Sequence, residues 1–185
     1  MAPREFSGPA PRGRKGLLII YTGNGKGKTT AAFGAALRTL GRGHRVAVVQ
    51  FIKGQWLSGE LNALKKFGNQ IELYPLGDGF TWNTKNWDND VASAQKGWKK
   101  CTDLLAAHKH DLYIFDELLY VLKYRFLSVK EVTRGLSLKS RDSHVILTGR
   151  GAPRALLSMA DLVTEMKEIK HPYKKGITAQ PGIDF

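Results

Sequence analysis

"YTGNGKGKTT", Tyr21 to Thr30, decides how this 185-residue chain folds. It follows an apolar run, "GLLIIY", and opens an alanine-rich one. A strand running into a glycine loop and then into a helix is the context of a phosphate-binding loop. The pattern G-x-x-x-x-G-K-[ST] falls on Thr22-Gly23-Asn24-Gly25-Lys26-Gly27-Lys28-Thr29, followed by Thr30. Thr22 stands where the pattern has its first glycine, and the other fixed positions fit. Glycines let backbone N–H groups turn inward around phosphate oxygens. The start of the helix adds a favourable dipole. Lys28 is expected to reach the phosphates, and the Thr29 hydroxyl to face a magnesium ion.

Outward from this loop, strand and helix signals alternate. "KTTAAFGAALRTLG" reads as a helix with a glycine stop at Gly41. "HRVAVVQFI" is a second strand, and "SGELNALKKFG" a short helix capped by Ser58 and stopped at Gly68. "QIELYPL" is a third strand. "GDGFTWNTKNWDND" reads as a loop, and a helix then runs to about Ala107. Its Val91, Ala94, Trp98, Cys101 and Leu105 step by three and four, so Cys101 reads as a small core residue. "DLYIFDE" is a fourth strand, "SVKEVTRGLSL" a helix, and "SHVILTGRG" a fifth strand. "PRALLSMA" is a helix opened by Pro153, and "DLVTEMKEI" a sixth strand or extended edge. The alternation predicts an α/β fold, a mainly parallel doubly wound sheet of about six strands. Ligands of such sheets sit at the carboxyl ends of the strands.

The composition suits a folded globular chain, with 42% hydrophobic and 24% charged residues. No apolar stretch approaches the ~20 residues of a membrane span, and no signal-peptide core is visible, so a cytoplasmic location is expected. The one cysteine excludes an internal disulfide framework and a cysteine-based zinc site. Residues 1–15, "MAPREFSGPAPRGRK", read as a flexible basic arm, and residues 16–185 as a single domain. The net charge of +13 favours polyanionic partners: nucleotides, nucleic acid or an acidic protein.

Two further segments complete a candidate site. Asp116 and Glu117 end an apolar strand, where a phosphate-loop protein needs carboxylates for a magnesium ion. Arg150, in "LTGRG", ends the fifth strand at the same edge and is able to clamp a phosphate. Phe80 and Trp82 lie in "GFTWNT", which offers either packing on the domain or a flat surface for a planar ligand or stacked bases.

Taken together, "TGNGKGKTTAAFG", "VVQFIKG", "GFTWNT", "DELLY", "ILTGRGAP" and "KHPYKKGITAQPGID" resemble the P-loop ATP:corrinoid adenosyltransferases. Thr22 is part of that family's loop. The resemblance implies a P-loop NTPase fold of the RecA-like kind. It also implies that a cobalt(I) corrinoid attacks the 5′ carbon of ATP and that triphosphate leaves whole. ATP then lies in the reverse sense to ordinary P-loop enzymes, with its ribose toward the acceptor. Lys28 and Thr29, with magnesium held near Thr29, Asp116 and Glu117, would stabilise the leaving triphosphate, as would Arg150. Phe80 and Trp82 would face the lower side of the corrin ring and exclude its axial ligand. A homodimer and an acidic flavoprotein electron donor are also implied, and nucleic acid is not expected as a partner. The alternatives are an ordinary P-loop ATPase or kinase, a nucleic-acid-binding ATPase, and a non-catalytic corrinoid carrier or sensor that uses ATP as a switch.

Overall fold

The computed structural model describes residues 15–52, 59–76 and 87–184. Ser58, Phe80 and Trp82, singled out above, lie outside the described residues, as does the arm up to residue 14. A six-stranded sheet, parallel throughout, runs in the order β3-β2-β4-β5-β1-β6. Its strands are β1 (Leu18–Thr22), β2 (Val46–Gln50), β3 (Ile71–Pro75), β4 (Leu112–Asp116), β5 (His144–Thr148) and β6 (Leu162–Glu165). The helices are α1 (Lys28–Leu40), α2 (Gly59–Leu64), α3 (Trp87–Ala107), α4 (Leu118–Lys123), α5 (Val129–Leu136) and α6 (Arg154–Met159).

The period of two along each strand sorts side chains to the two faces of the sheet. Val46 and Val48 of β2, Leu112 and Ile114 of β4, and Ile146 of β5 pack with Ala32, Phe33, Ala36 and Leu40 of α1. The alternate residues Ala47, Val49, Tyr113, Phe115, Val145 and Leu147 pack on the opposite face. That second core draws on α3 through Ala94, Trp98, Cys101 and Leu105, and on α4, α5 and α6. Both faces are covered, so β2 and β4 are buried along their whole length, as strands inside a parallel sheet are.

Several local expectations shift. The aromatic loop was expected to run through Asp90, but α3 already begins at Trp87, with Asp88 and Asp90 in its first turn. Acidic residues there complement the helix dipole. Gly41 does follow α1, yet it keeps a right-handed helical backbone, and the left-handed turn falls at Gly43. The helix before Gly68 ends at Leu64 and tightens into a 3-10 segment, Lys65–Gln70, broken at Gly68 by its φ of 54°. Helix α4 was not foreseen. Leu118, Leu119, Val121 and Leu122 are all buried, so the segment lacks the polar face that marks a helix in sequence. Pro153 is the cap before α6 rather than its first residue. Ser128 caps α5, its hydroxyl accepting from the Glu131 N–H.

Candidate active site

The glycine loop joins β1 to α1 at the carboxyl edge of the sheet. Thr22 replaces the expected glycine because it is still extended strand, paired with Glu165 of β6. The turn begins one residue later, at Gly23, with φ of 99°. A Cβ on Gly23 would lie 2.4 Å from the Met166 carbonyl oxygen, so the chain leaving β6 presses directly on the loop. The Gly25 N–H donates to the Met166 carbonyl at 2.7 Å. Lys28 is 7% exposed, and its ammonium donates to the Gly25 carbonyl at 2.6 Å. Burial, then the nearby Arg150 guanidinium, push the Lys28 pKa below its ordinary value, while Glu117 and Asp116 push it up. Lys28, Arg150 and the two carboxylates are thus electrostatic neighbours, although they come from three separate segments. Arg150 Nε is buried without a hydrogen-bond partner among the described residues. A buried donor of this kind is suited to an incoming anion.

Asp116 is 0% exposed. Its Oδ1 accepts from the Thr29 hydroxyl at 2.9 Å and from the Thr148 hydroxyl at 2.6 Å. Its Oδ2 accepts from Gln50 Nε2 at 2.9 Å. Three donors compensate an ionised carboxylate taken out of water. Glu117 follows in the left-handed region, with φ of 64°, a conformation uncommon for a residue with a side chain. Its N–H donates to Thr148 Oγ1 at 2.9 Å.

Among the described residues no cluster of three or more His, Cys, Asp or Glu side chains stands ready to hold a metal. Magnesium needs only one or two protein oxygens and completes its shell with phosphates and water. The donor set of a hydroxyl and carboxylates fits it. Lys26 forms an ion pair with Asp184, which brings the end of the chain onto the loop. A cavity of about 280 Å³ adjoins the loop there, lined in part by Gly25, Lys26, Lys167, Lys170 and His171. A larger apolar groove of about 500 Å³ lies between α1 and α2, closed at one side by Gly182 and Ile183.

Of the sequence-predicted residues, Thr22 to Thr30, Asp116, Glu117 and Arg150 come together at one edge of the sheet. Cys101 is fully buried, and burial raises its pKa well above the ordinary thiol value, as a core residue requires. Sequence reasoning missed Gln50, Thr148 and the Met166–Lys167 backbone. Gln50 and Thr148 had a legible signal: each is the polar residue that ends an apolar strand on the α1 face.

A parallel sheet with a glycine loop, a lysine at the start of the following helix and a strand-end aspartate bonded to the next threonine defines a P-loop nucleotide-binding protein. The flagellar accessory protein FlaH from Methanocaldococcus jannaschii has the same fold, with a TM-score of 0.60 at 16% identity, over 82% of this chain and 71% of that one. Residues 14–185 match the family model of the ATP:corrinoid adenosyltransferases BtuR/CobO/CobP. A corrinoid adenosyltransferase of Escherichia coli strain K12 is 44% identical over 92% of this chain and 86% of its own length. One from a Sinorhizobium species is 45% identical over 100% of this chain and 87% of its own. This chain belongs to the ATP:corrinoid adenosyltransferase family.

Proposed function

We propose that the chain transfers the 5′-deoxyadenosyl group of ATP to the cobalt(I) of a corrinoid and releases triphosphate. The observation that carries this reading, beside family membership, is the convergence of Lys28 and a buried, unpartnered Arg150 Nε on the phosphate loop. The cobalt(I) electron pair forms the bond to C5′. The C5′–O bond breaks, and its electron pair leaves on the triphosphate as cobalt becomes formally cobalt(III). The nucleophile belongs to the corrinoid, so the protein has to position the reactants and stabilise the leaving group. Lys28, Arg150 and the loop N–H groups are the donors toward that developing charge. Thr29, Asp116 and Glu117 would hold magnesium. When bound, the ion supplies Lewis-acid stabilisation to the triphosphate oxygens.

Phe80 and Trp82 are assigned to the lower face of the corrin ring, where they would keep an axial ligand away and ease reduction of cobalt(II). The double substitution Phe80→Ala, Trp82→Ala is expected to impair turnover from cobalt(II) far more than ATP binding. Equal losses in both assays would remove that assignment. The reading also includes a homodimer, a cytoplasmic location and an acidic flavoprotein as electron donor. A basic surface would steer that donor, so the coupled rate should fall with ionic strength; a flat profile argues against steering.

The deciding experiment incubates the protein anaerobically with ATP, magnesium and chemically reduced cobalamin. A photolabile cobalt–carbon product with one triphosphate per turnover is the expected result. ADP and phosphate without that product would return the chain to the ordinary ATPases. Binding of both substrates without any product would make it a carrier.

A further inference from the structure

The polar groups at the carboxyl edge are in phase across three strands. Val46, Val48 and Gln50 of β2 alternate onto the α1 face, as do Leu112, Ile114 and Asp116 of β4, and Ile146 and Thr148 of β5. Gln50 pairs directly with Asp116 in the sheet register. Strand β5 lies between β4 and β1, the strand that leads into the phosphate loop, so Thr148 stands between the two halves of the site.

We propose that Thr148 and Gln50 are positioning residues of the magnesium–triphosphate site, acting through Asp116 on the Thr29 hydroxyl and on the Glu117 backbone. The proposal rests on the reading of this edge as a magnesium–ATP site.

A threonine hydroxyl has one hydrogen to give and lone pairs to receive. Thr148 spends its hydrogen on Asp116 Oδ1 at 2.6 Å and receives the Glu117 N–H at 2.9 Å. One side chain therefore sets the carboxylate of Asp116 and anchors the left-handed backbone of Glu117. The same Oδ1 accepts from Thr29, which directs that hydroxyl's hydrogen toward Asp116 and leaves its lone pairs for a cation. Gln50 holds the other oxygen, Oδ2. A carboxylate only accepts, so the Gln50 amide must present its nitrogen there. Its Oε1 is then a buried acceptor without a hydrogen-bond partner among the described residues, in a residue 2% exposed. A hydrated cation carries the donors that would complete it. Valine in place of Thr148 keeps the shape and loses both hydrogen bonds.

The test is calorimetric. ATP affinity is measured with magnesium and with EDTA for the wild type, Thr148→Val, Thr148→Ser and Gln50→Met, alongside thermal unfolding of each. In the wild type, magnesium is expected to tighten ATP binding. Thr148→Val should lose about ten-fold of that tightening, the size of one lost hydrogen bond to a charged group, with affinity in EDTA within about two-fold. Thr148→Ser should restore it, and Gln50→Met should show a smaller loss of the same kind. A folded Thr148→Val with full magnesium tightening overturns the proposal. So does an equal loss in EDTA, which would mark a merely structural role. Should Thr148→Val fail to fold, Gln50→Met decides: full tightening in that variant counts against the proposal. A wild type whose ATP binding ignores magnesium would instead overturn the metal-site reading, and this proposal with it.

Discussion

The amino and carboxyl edges of the same sheet both gather polar side chains, and they are balanced differently. At the amino edge, Glu72 meets Arg45 at 3.4 Å, His110 at 3.2 Å and the Tyr74 hydroxyl at 2.5 Å. Asp161 meets Lys15 at 2.8 Å and the Leu18 N–H at 2.9 Å. Each of these carboxylates has partners within the protein, although both ring nitrogens of the buried His110 make no well-aligned hydrogen bond among the described residues. At the carboxyl edge, Asp116 accepts three hydrogen bonds, yet Gln50 Oε1 and Arg150 Nε are buried with no hydrogen-bond partner among the described residues. Lys28 is buried at a cost reflected in its lowered pKa. The edges differ in where such groups lie: those of the carboxyl edge surround the phosphate loop, where the proposed ligand would supply their partners.

The largest test of this contrast is Lys28→Met. Turnover is expected to fall by about 10²–10³, as when one preorganised donor is removed from a developing anion. Thermal unfolding without ATP should be unchanged or shifted upward, because a buried ammonium is removed. A clear drop in unfolding temperature would place Lys28 with the stabilising groups and break the comparison.

The opposite pattern is expected at His110, which is buried beside Tyr113. Burial lowers its pKa from 6.5 and outweighs the neighbouring Glu72, which acts to raise it. The unfolded chain therefore takes up this proton first as the pH drops. The contribution of neutral His110 is complete above about pH 6.5 and is lost as pH falls through its lower folded value. Glu72 is held below its ordinary value of 4.5, chiefly by the Tyr74 hydroxyl, so its own contribution is lost only in stronger acid. His110→Phe should flatten the unfolding temperature against pH just below 6.5 and leave turnover at neutral pH unchanged. An unaltered slope would exclude His110 as the titrating group.

The smallest effect is expected from Lys15→Ala. The Lys15 side chain is 73% exposed, and exposed ion pairs contribute about 1 kcal/mol or less. Unfolding should move slightly and ATP affinity not at all. A fall in ATP affinity would show that the two edges are coupled through β1.

Much of the site was legible because its chemistry is local. A loop that must curl backbone N–H groups around phosphate needs glycines at fixed spacing before a lysine and a threonine. That pattern survives in one dimension, even with Thr22 in place of a glycine. The apolar runs likewise announced the strands, and the alanine-rich run after the loop, with its glycine stop, announced α1. Helix α4 was hidden because burial on several sides erases the period that reveals a helix.

By itself, then, the sequence determined the phosphate loop, the strand-end carboxylates, an α/β sheet and the family. Only the tertiary structure decided the strand order that sets β5 between β1 and β4, and with it the contact of Thr148 with Asp116. The same is true of Gln50, of Arg150 beside Lys28, and of the chain after β6 pressed against Gly23. These contacts join residues far apart along the chain. Their distances follow from sheet register and packing, which no local pattern of residues encodes.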